Sequence, residues 1–107
     1  MGNTTEQNGN WISITLDGST DWDLTTNMPQ MVGTGLKVRS IGVYAADGAV
    51  IICRDVAAAD QAAPKVFHFV SDAGQLNMQY QYGDGAWMKP AFDAGDCGAG
   101  TVVFELA

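Results

Sequence analysis

The segment QLNMQYQY, residues 75–82, has the most regular alternation in the chain. Its odd positions are all Gln or Asn, and its even positions are the apolar or aromatic residues Leu76, Met78, Tyr80 and Tyr82. Successive side chains of a β-strand point to opposite faces of a sheet, so a period of two predicts a half-buried strand. One face of this strand should pack against a core, while the other is polar and uncharged.

The segment GLKVRSIGVYAA, residues 35–46, is strand-like but changes its pattern halfway. Its apolar positions keep one parity up to Val38 and resume on the other parity at Ile41. A β-bulge near Arg39 and Ser40 would produce this change, because a bulge inserts one extra residue into a strand. A strand buried on both faces is the alternative interpretation.

The remaining strand signals are shorter. KVFHFVSD, residues 65–72, is apolar on both parities, which predicts a central strand. Asp47-Gly48 is a hairpin signal, because the two central residues of the favoured hairpin turn need positive φ. The other predicted strands lie in NWISITLDG (residues 10–18), AVIICRDV (49–56) and TVVFELA (101–107).

These segments give six to seven short strands separated by turn-forming residues, with no convincing amphipathic helix. Such a pattern predicts an all-β fold, either an antiparallel β-sandwich or a small barrel. The length of 107 residues suits a single domain. We expect residues 1–9, which are mostly polar, to form a flexible N-terminal arm, and residues 10–107 to form one β domain.

The charge balance argues against several classes of partner. Twelve acidic and five basic residues give a net charge of -7, and the basic residues are scattered. Nucleic acids and anionic membranes bind to clustered positive charge, so neither is expected as a partner. No signal peptide and no membrane-spanning apolar run is evident, and we expect synthesis and solubility in a cytoplasm.

Charged residues are scarce, at 16% of the chain, whereas apolar residues make up 47%. A small domain has a large surface to cover, so this balance favours a surface that faces a partner, as in a homo-oligomer or an assembly. A monomer with a neutral, amide- and hydroxyl-rich surface is the alternative.

The sequence favours a protein that is not an enzyme and needs no cofactor. His68 is the one histidine and lies between two phenylalanines, a context more typical of a packed imidazole than of a catalytic base. No familiar catalytic or zinc-binding spacing occurs. Cys53 and Cys97 are expected to be reduced, partly buried thiols, although a disulfide between them stays open.

Two acidic clusters offer carboxylates that Ca²⁺ would accept. One is LDGSTDWD, with Asp17, Asp21 and Asp23; the other is FDAGDC, with Asp93 and Asp96. Neither contains a complete set of ligands in an EF-hand order. Turns in which an aspartate accepts main-chain hydrogen bonds explain these residues equally well, so no metal site is predicted.

Six large side chains outside the clearest core positions are candidates for an interface: Trp22, Met28, Met31, Tyr80, Tyr82 and Trp87. Aromatic residues and methionine are enriched where proteins meet. A platform for stacking sugars, built from the tryptophans at 11, 22 and 87 with the two tyrosines, is a second interpretation.

Residues 83–100, GDGAWMKPAFDAGDCGAG, concentrate turn formers before the last strand. Asp84-Gly85 is expected to end the tyrosine-rich strand, and Pro90 excludes the following residues from a central strand. We expect Trp87 and Met88 to anchor this irregular crossing, with Phe92 packed beneath it.

The stretch GLKVRSIGVYAADGAVIICRD, followed by WMKP, DC and TVVFELA, resembles a group of small phage and prophage virion proteins. The matching positions are residues 36–41, 54–55, 88–90, Cys97 and 102–106, all within residues 35–107. The resemblance implies a β-sandwich protein of the virion, with no catalytic residues to carry over.

Within that group, decoration (cement) of the capsid surface best suits a small acidic domain. The resemblance then implies that the partner is the major capsid protein or another virion protein. A small homo-oligomer, such as a trimer, would bridge neighbouring capsomers. A carbohydrate- or receptor-binding module of the tail or neck is the alternative.

Overall fold

The structure is a computed structural model that describes residues 3–45, 48–72 and 77–107. Within these residues the chain forms strands β1 (Thr4–Asn8), β2 (Trp11–Asp17), β3 (Leu36–Ala45), β4 (Val50–Asp55), β5 (Lys65–Val70), β6 (Asn77–Met88), β7 (Pro90–Ala91) and β8 (Ala99–Leu106). Between β2 and β3 lie one α-helical turn, α1 (Leu24–Asn27), and a 3-10 turn (Pro29–Met31).

The strands form two antiparallel sheets that pack against each other. The larger sheet has the order β1-β2-β8-β3-β6 and the smaller has the order β5-β4-β7. The predicted all-β fold without substantial helix is confirmed, and of the two predicted architectures the packed sheets form the sandwich. Eight strands occur in the described residues instead of six to seven, because the polar β1 and the two-residue β7 carry no alternating apolar pattern.

The core lies between the sheets and follows the predicted alternation. In β2 the side chains of Ile12, Ile14 and Leu16 are buried, and the first two lie opposite Phe104 and Val102 of β8. Pairing of apolar side chains across neighbouring strands is the main source of sheet stability. The alternation of β2 in the sequence therefore matches the burial of its inward face.

The predicted bulge in β3 is confirmed. Pairing of β3 with both of its neighbours shifts between Val38 and Ser40. Against β8 this leaves Arg39 as the extra residue, whereas against β6 the extra residues lie in β6. The shift keeps the apolar residues on both sides of the bulge buried.

The turn predicted at Asp84-Gly85 does not end β6. Residues 82–85 have no pairing partner in β3, and β6 continues beyond them to Met88.

Residues 4–8 differ from the expected flexible arm. They form β1, which pairs with β2 along its whole length, from Thr4 opposite Thr15 to Asn8 opposite Trp11. All five side chains are exposed, so the strand is held mainly by its backbone ladder. A sequence pattern based on apolar burial cannot reveal such an edge strand.

Strand β5 was predicted to be a central strand, and this prediction is wrong. It lies at one end of the smaller sheet instead of at its centre. Phe67 and Phe69 are buried in the sandwich, but Val70 and His68 on the opposite face are exposed. The apolar character of both faces therefore does not mean that both faces are covered.

The irregular segments pack as short, tied connections. Asp23 caps α1 by accepting from the Thr26 amide at 2.8 Å, and Leu24 is buried beneath it. No helix in the described part of the chain is long and apolar enough to cross a membrane. The hairpin predicted at Asp47-Gly48 is wrong: β3 and β4, the strands on either side of it, belong to different sheets. Gly48 has φ 85°, so the chain still turns there, but it passes from one sheet to the other. Asp47, Gln75 and Leu76 lie outside the described residues.

Candidate binding surfaces

The structure separates the six predicted interface residues into three environments. Trp22 and Met28 are buried in the core, with the Trp22 side chain completely inaccessible. Met31, Tyr80 and Tyr82 are half-buried and pack against the core. Trp87 is 63% exposed. Of the six, Trp87 presents most of its side chain to a partner.

Trp22 is a structural residue, which corrects its assignment to an interface. Its main chain exchanges two hydrogen bonds with Phe92, at 2.9 and 2.7 Å, and the two rings meet edge to face at 6.1 Å. The indole Nε1 donates to Thr5 Oγ1 at 2.8 Å. Trp22 thus joins the segment before α1 to β1 and to the chain after β7. Met28 is buried beside the same segment because the helical turn folds it inward.

The tyrosines of β6 line the sandwich interior. Tyr80 stacks on Phe67 of β5 with 4.8 Å between ring centroids, which links the two sheets at this edge. Partial burial raises the pKa of both Tyr80 and Tyr82. The two rings therefore contribute mainly to packing between the sheets, as their alternation in the sequence predicts.

Trp87 stands beside an open cavity of about 430 Å³. The cavity is bordered by Thr34, Asp55 and Lys89 as well as by the Trp87 ring. Its wall is held by Asp55 Oδ1, which accepts from the Lys89 amide at 2.9 Å. An aromatic, an acidic, a basic and a hydroxyl-bearing residue thus border one concave site. Met88, by contrast, is buried and anchors the crossing as expected.

The solvent-facing side of the five-stranded sheet, here called the outer face, is the second candidate surface. Cross-strand pairing places three complete rows on it. The first row is Asn8, Trp11, Glu105, Ser40 and Gln81, the second is Glu6, Ser13, Val103, Gly42 and Gln79, and the third is Thr4, Thr15, Thr101, Tyr44 and Asn77. Five strands at the usual spacing span about 19 Å.

The outer face combines exposed aromatic rings with few charges. Trp11 is 47% exposed and Tyr44 is 50% exposed, and the Tyr44 ring lies above Gly42, where an added Cβ would meet it at 3.5 Å. Glu105, one of the acidic residues in these rows, accepts from Ser40 Oγ at 3.0 Å. Trp87, opposite Lys37, lies on the same side of the sheet. Tyr44 was not among the residues predicted from sequence.

The sugar-stacking platform predicted from sequence does not assemble as proposed. Trp11 and Trp87 share the outer face, but Trp22 is in the core and the two tyrosines point into the sandwich. The strand parity of Trp11 and Tyr44 was the available signal: each alternates with buried neighbours and so faces outward.

The first acidic cluster has structural roles. Asp17 accepts from the Ser19 and Thr20 amides, each at 2.9 Å, as in an Asx-turn. These hydrogen bonds, that from Ser19 foremost, lower the pKa of the Asp17 carboxyl. Asp21 accepts from the Ala94 amide at 2.7 Å. Carboxylates in this region therefore order loops through main-chain donors.

The second acidic cluster closes residues 93–97. Asp93 Oδ1 accepts from the Gly95 amide at 2.8 Å, and Asp96 Oδ2 accepts from Arg54 Nε at 2.8 Å. Arg54 also donates from Nη1 to the Ala63 carbonyl at 2.7 Å. Among the described residues, no group of three or more His, Cys, Asp or Glu side chains is arranged to hold a metal ion.

Both cysteines are free and buried, as expected for reduced thiols. Cys97 Sγ bridges the edge of β4: it donates to the Ile52 carbonyl at 3.3 Å and accepts from the Ile52 amide at 3.4 Å. Burial raises the pKa of Cys97 to about 11 and that of Cys53 still further. Neither thiol is a nucleophile at neutral pH.

His68 was expected to be a packed core imidazole, and the structure corrects this. Its side chain is exposed on the outside of β5, because Phe67 and Phe69 take the two inward positions of that strand.

Comparison with models of protein families, with curated proteins and with solved structures finds no match to this chain.

Proposed function

We propose that this protein is a non-enzymatic structural component of a phage virion that decorates the capsid by binding the major capsid protein. The resemblance of residues 35–107 to small virion proteins motivates the role. The observation that carries it is the outer face, on which Trp11, Tyr44 and Trp87 are each exposed. Large apolar rings that lie on one face of a sheet are typical of an interaction site.

Most side chains of the outer face are uncharged, which suits docking on another protein. Of the fifteen residues in its three complete rows, thirteen are uncharged; the two acidic ones are Glu6 and Glu105, and Glu105 is bonded to Ser40. Burying uncharged hydroxyl and amide groups costs less free energy than burying charges. The acidic remainder of the surface keeps the protein soluble at high concentration.

Binding to particles tests this role directly. Particles that lack the protein are incubated with the purified chain and centrifuged through a sucrose gradient. We expect the wild type to sediment with the particles. Trp11→Ala and Tyr44→Ala should each weaken binding by roughly 30-fold, the loss typical of an interface hot spot.

The matched control is Gln79→Ala, which truncates a polar side chain on the same outer face and should leave binding nearly unchanged. All three positions are exposed, so the variants should fold normally. A wild-type protein that stays in the supernatant at concentrations well above those of a virion assembly overturns the proposal.

Saccharide binding by a tail or neck module is a second candidate, favoured by one observation: the exposed Trp87 ring beside the cavity that holds Asp55 and Lys89. An aromatic ring stacks on the apolar face of a sugar while nearby polar groups bind its hydroxyls. A glycan array distinguishes the two roles. Saccharide binding predicts a signal that Trp87→Ala abolishes and Trp11→Ala preserves.

A further inference from the structure

The unpaired edge of β5 carries one charged residue, the exposed Lys65 at its start. On its outward face Val70 is 55% exposed, His68 is exposed and Val66 is half-buried. In the described part of the chain, β5 pairs with β4 alone. Natural proteins usually protect such an edge with charges or proline, because it is a template for another strand.

The hydrogen bonds of β4 show which β5 groups face this edge. Ile52 bonds through its N–H and C=O to Cys97 Sγ, on the side of β4 away from β5, and Val50 accepts from the Gly98 amide on that same side. Ile52 lies opposite His68, and Val50 lies opposite Val70. In antiparallel sheets the residues of such a pair direct their backbone groups away from each other.

His68 and Val70 therefore direct their N–H and C=O groups toward the open edge. Ser71, the residue after Val70, shows the expected alternation of backbone direction. Its amide points the opposite way, toward the segment before β4, and donates to the Ala49 carbonyl at 2.9 Å. The backbone donors and acceptors of His68 and Val70, and the exposed side chains of the same two residues, thus lie together at one edge.

We propose that this edge pairs with β5 of a second copy of the chain, antiparallel, about a two-fold axis at Phe69. His68 then lies opposite the partner's Val70, and each such pair exchanges two backbone hydrogen bonds. The pair occurs twice about the axis, which gives four hydrogen bonds. The two smaller sheets become one six-stranded sheet in the order β7-β4-β5-β5-β4-β7.

The distribution of charge favours a second copy of the chain as the partner of β5, and it favours pairing about Phe69. A net charge of -7 opposes self-association over most of the surface, but Lys65–Val70 contains no acidic residue. With the axis at Phe69, no two identical polar or charged side chains of Lys65–Val70 lie opposite each other. An axis at His68 would instead bring two imidazoles face to face.

Two variants separate the edge contact from the fold. His68→Pro removes an N–H that points to the open edge, and proline is tolerated in edge strands. Val70→Lys keeps every backbone group and places an ammonium group next to the axis, opposite His68 of the second copy. The control is Gln79→Lys, which adds the same charge to β6, the edge strand of the larger sheet.

Sedimentation velocity over a concentration series reads out the assembly. The wild type and Gln79→Lys should form dimers, and His68→Pro and Val70→Lys should raise the dimer dissociation constant at least tenfold, with unchanged circular dichroism. A wild type that is monomeric at about 100 µM, within the range of weak dimers, overturns the proposal. A dimer that survives both edge variants, or a trimer, also overturns it.

Cysteine cross-linking checks the register. Paired residues of this type have Cα atoms about 5.5 Å apart, within the range of a disulfide. Under mild oxidation, a mixture of His68→Cys and Val70→Cys chains should give a cross-linked dimer, whereas His68→Cys alone should not. Efficient cross-linking of His68→Cys alone refutes the axis at Phe69.

This pairing is independent of the proposed virion role, and the two fail separately. A monomer that sediments with capsids refutes the pairing and keeps the role. A dimer that never binds particles refutes the role and keeps the pairing.

Discussion

Arg54 Nε donates to Asp96 Oδ2 at 2.8 Å and so joins strand β4 to the segment that leads into β8. The hydrogen bond that Arg54 donates to Asp96 raises the pKa of Arg54 above its ordinary value. The same guanidinium holds the Ala63 carbonyl, so one side chain fixes two loops at the end of the smaller sheet.

Arg54→Met should therefore lower the melting temperature more than Asp96→Asn. The methionine loses both hydrogen bonds, and it leaves the Asp96 carboxylate and the Ala63 carbonyl without their donor. The asparagine keeps an oxygen that can accept from Nε. Thermal unfolding followed by circular dichroism compares the two; equal losses would contradict the assignment of two roles to Arg54.

Trp22→Ala should destabilise the protein by about 3–5 kcal/mol, the usual cost of truncating a large buried aromatic residue. Trp22 is completely buried, whereas Trp11 is 47% exposed on the outer face. Trp11→Ala is therefore the matched control, with an expected cost of under about 1 kcal/mol. Urea unfolding measures both. Similar costs for the two variants would show that Trp22 is not a core residue.

Thr5→Val should cost about 1–3 kcal/mol, because it removes the acceptor of the buried Trp22 Nε1–H. Thr4→Val serves as the control, since Thr4 occupies the neighbouring position on the same exposed strand. Urea unfolding should show a loss for Thr5→Val and little change for Thr4→Val. The reverse ranking would contradict the placement of β1 against the core.

The buried thiols make the free energy of unfolding depend on pH in the alkaline range. Burial raises the pKa of Cys97 from 9.0 to about 11, so the folded chain holds this proton more tightly than the unfolded chain. The contribution is fully present below pH 9 and is lost as the pH rises toward about 11. The raised pKa values of Cys53, Tyr80 and Tyr82 act in the same direction.

The free energy of unfolding should accordingly fall between pH 9 and about pH 11, and Cys97→Ser should flatten part of this fall. Urea unfolding at a series of pH values measures both slopes. Stability that increases over this range would contradict burial of the thiols.

The sequence predicts best where one physical rule acts alone. Ile12, Ile14 and Leu16 alternate because one face of β2 is buried, and the change of parity in β3 marks a bulge that the structure places at Arg39. In each case burial of apolar side chains leaves a period that can be read along the chain.

The expectations for β5, β1 and Trp22 fail because they depend on contacts between distant segments. Apolar residues on both faces of β5 are compatible with a central strand, and the chain alone does not reveal that His68 and Val70 lack a covering element. Trp22 enters the core through its pairing with Phe92, which lies 70 residues away in sequence. No local pattern encodes such a contact.

The most direct test of the proposed role is cryo-electron microscopy of particles assembled in cells that carry the genome encoding this chain. The account predicts density for a two-layered β-sandwich on the outside of the capsid, with the outer face that carries Trp11 and Tyr44 against the major capsid protein. Complete capsids without this density, or density confined to the tail, would contradict capsid decoration.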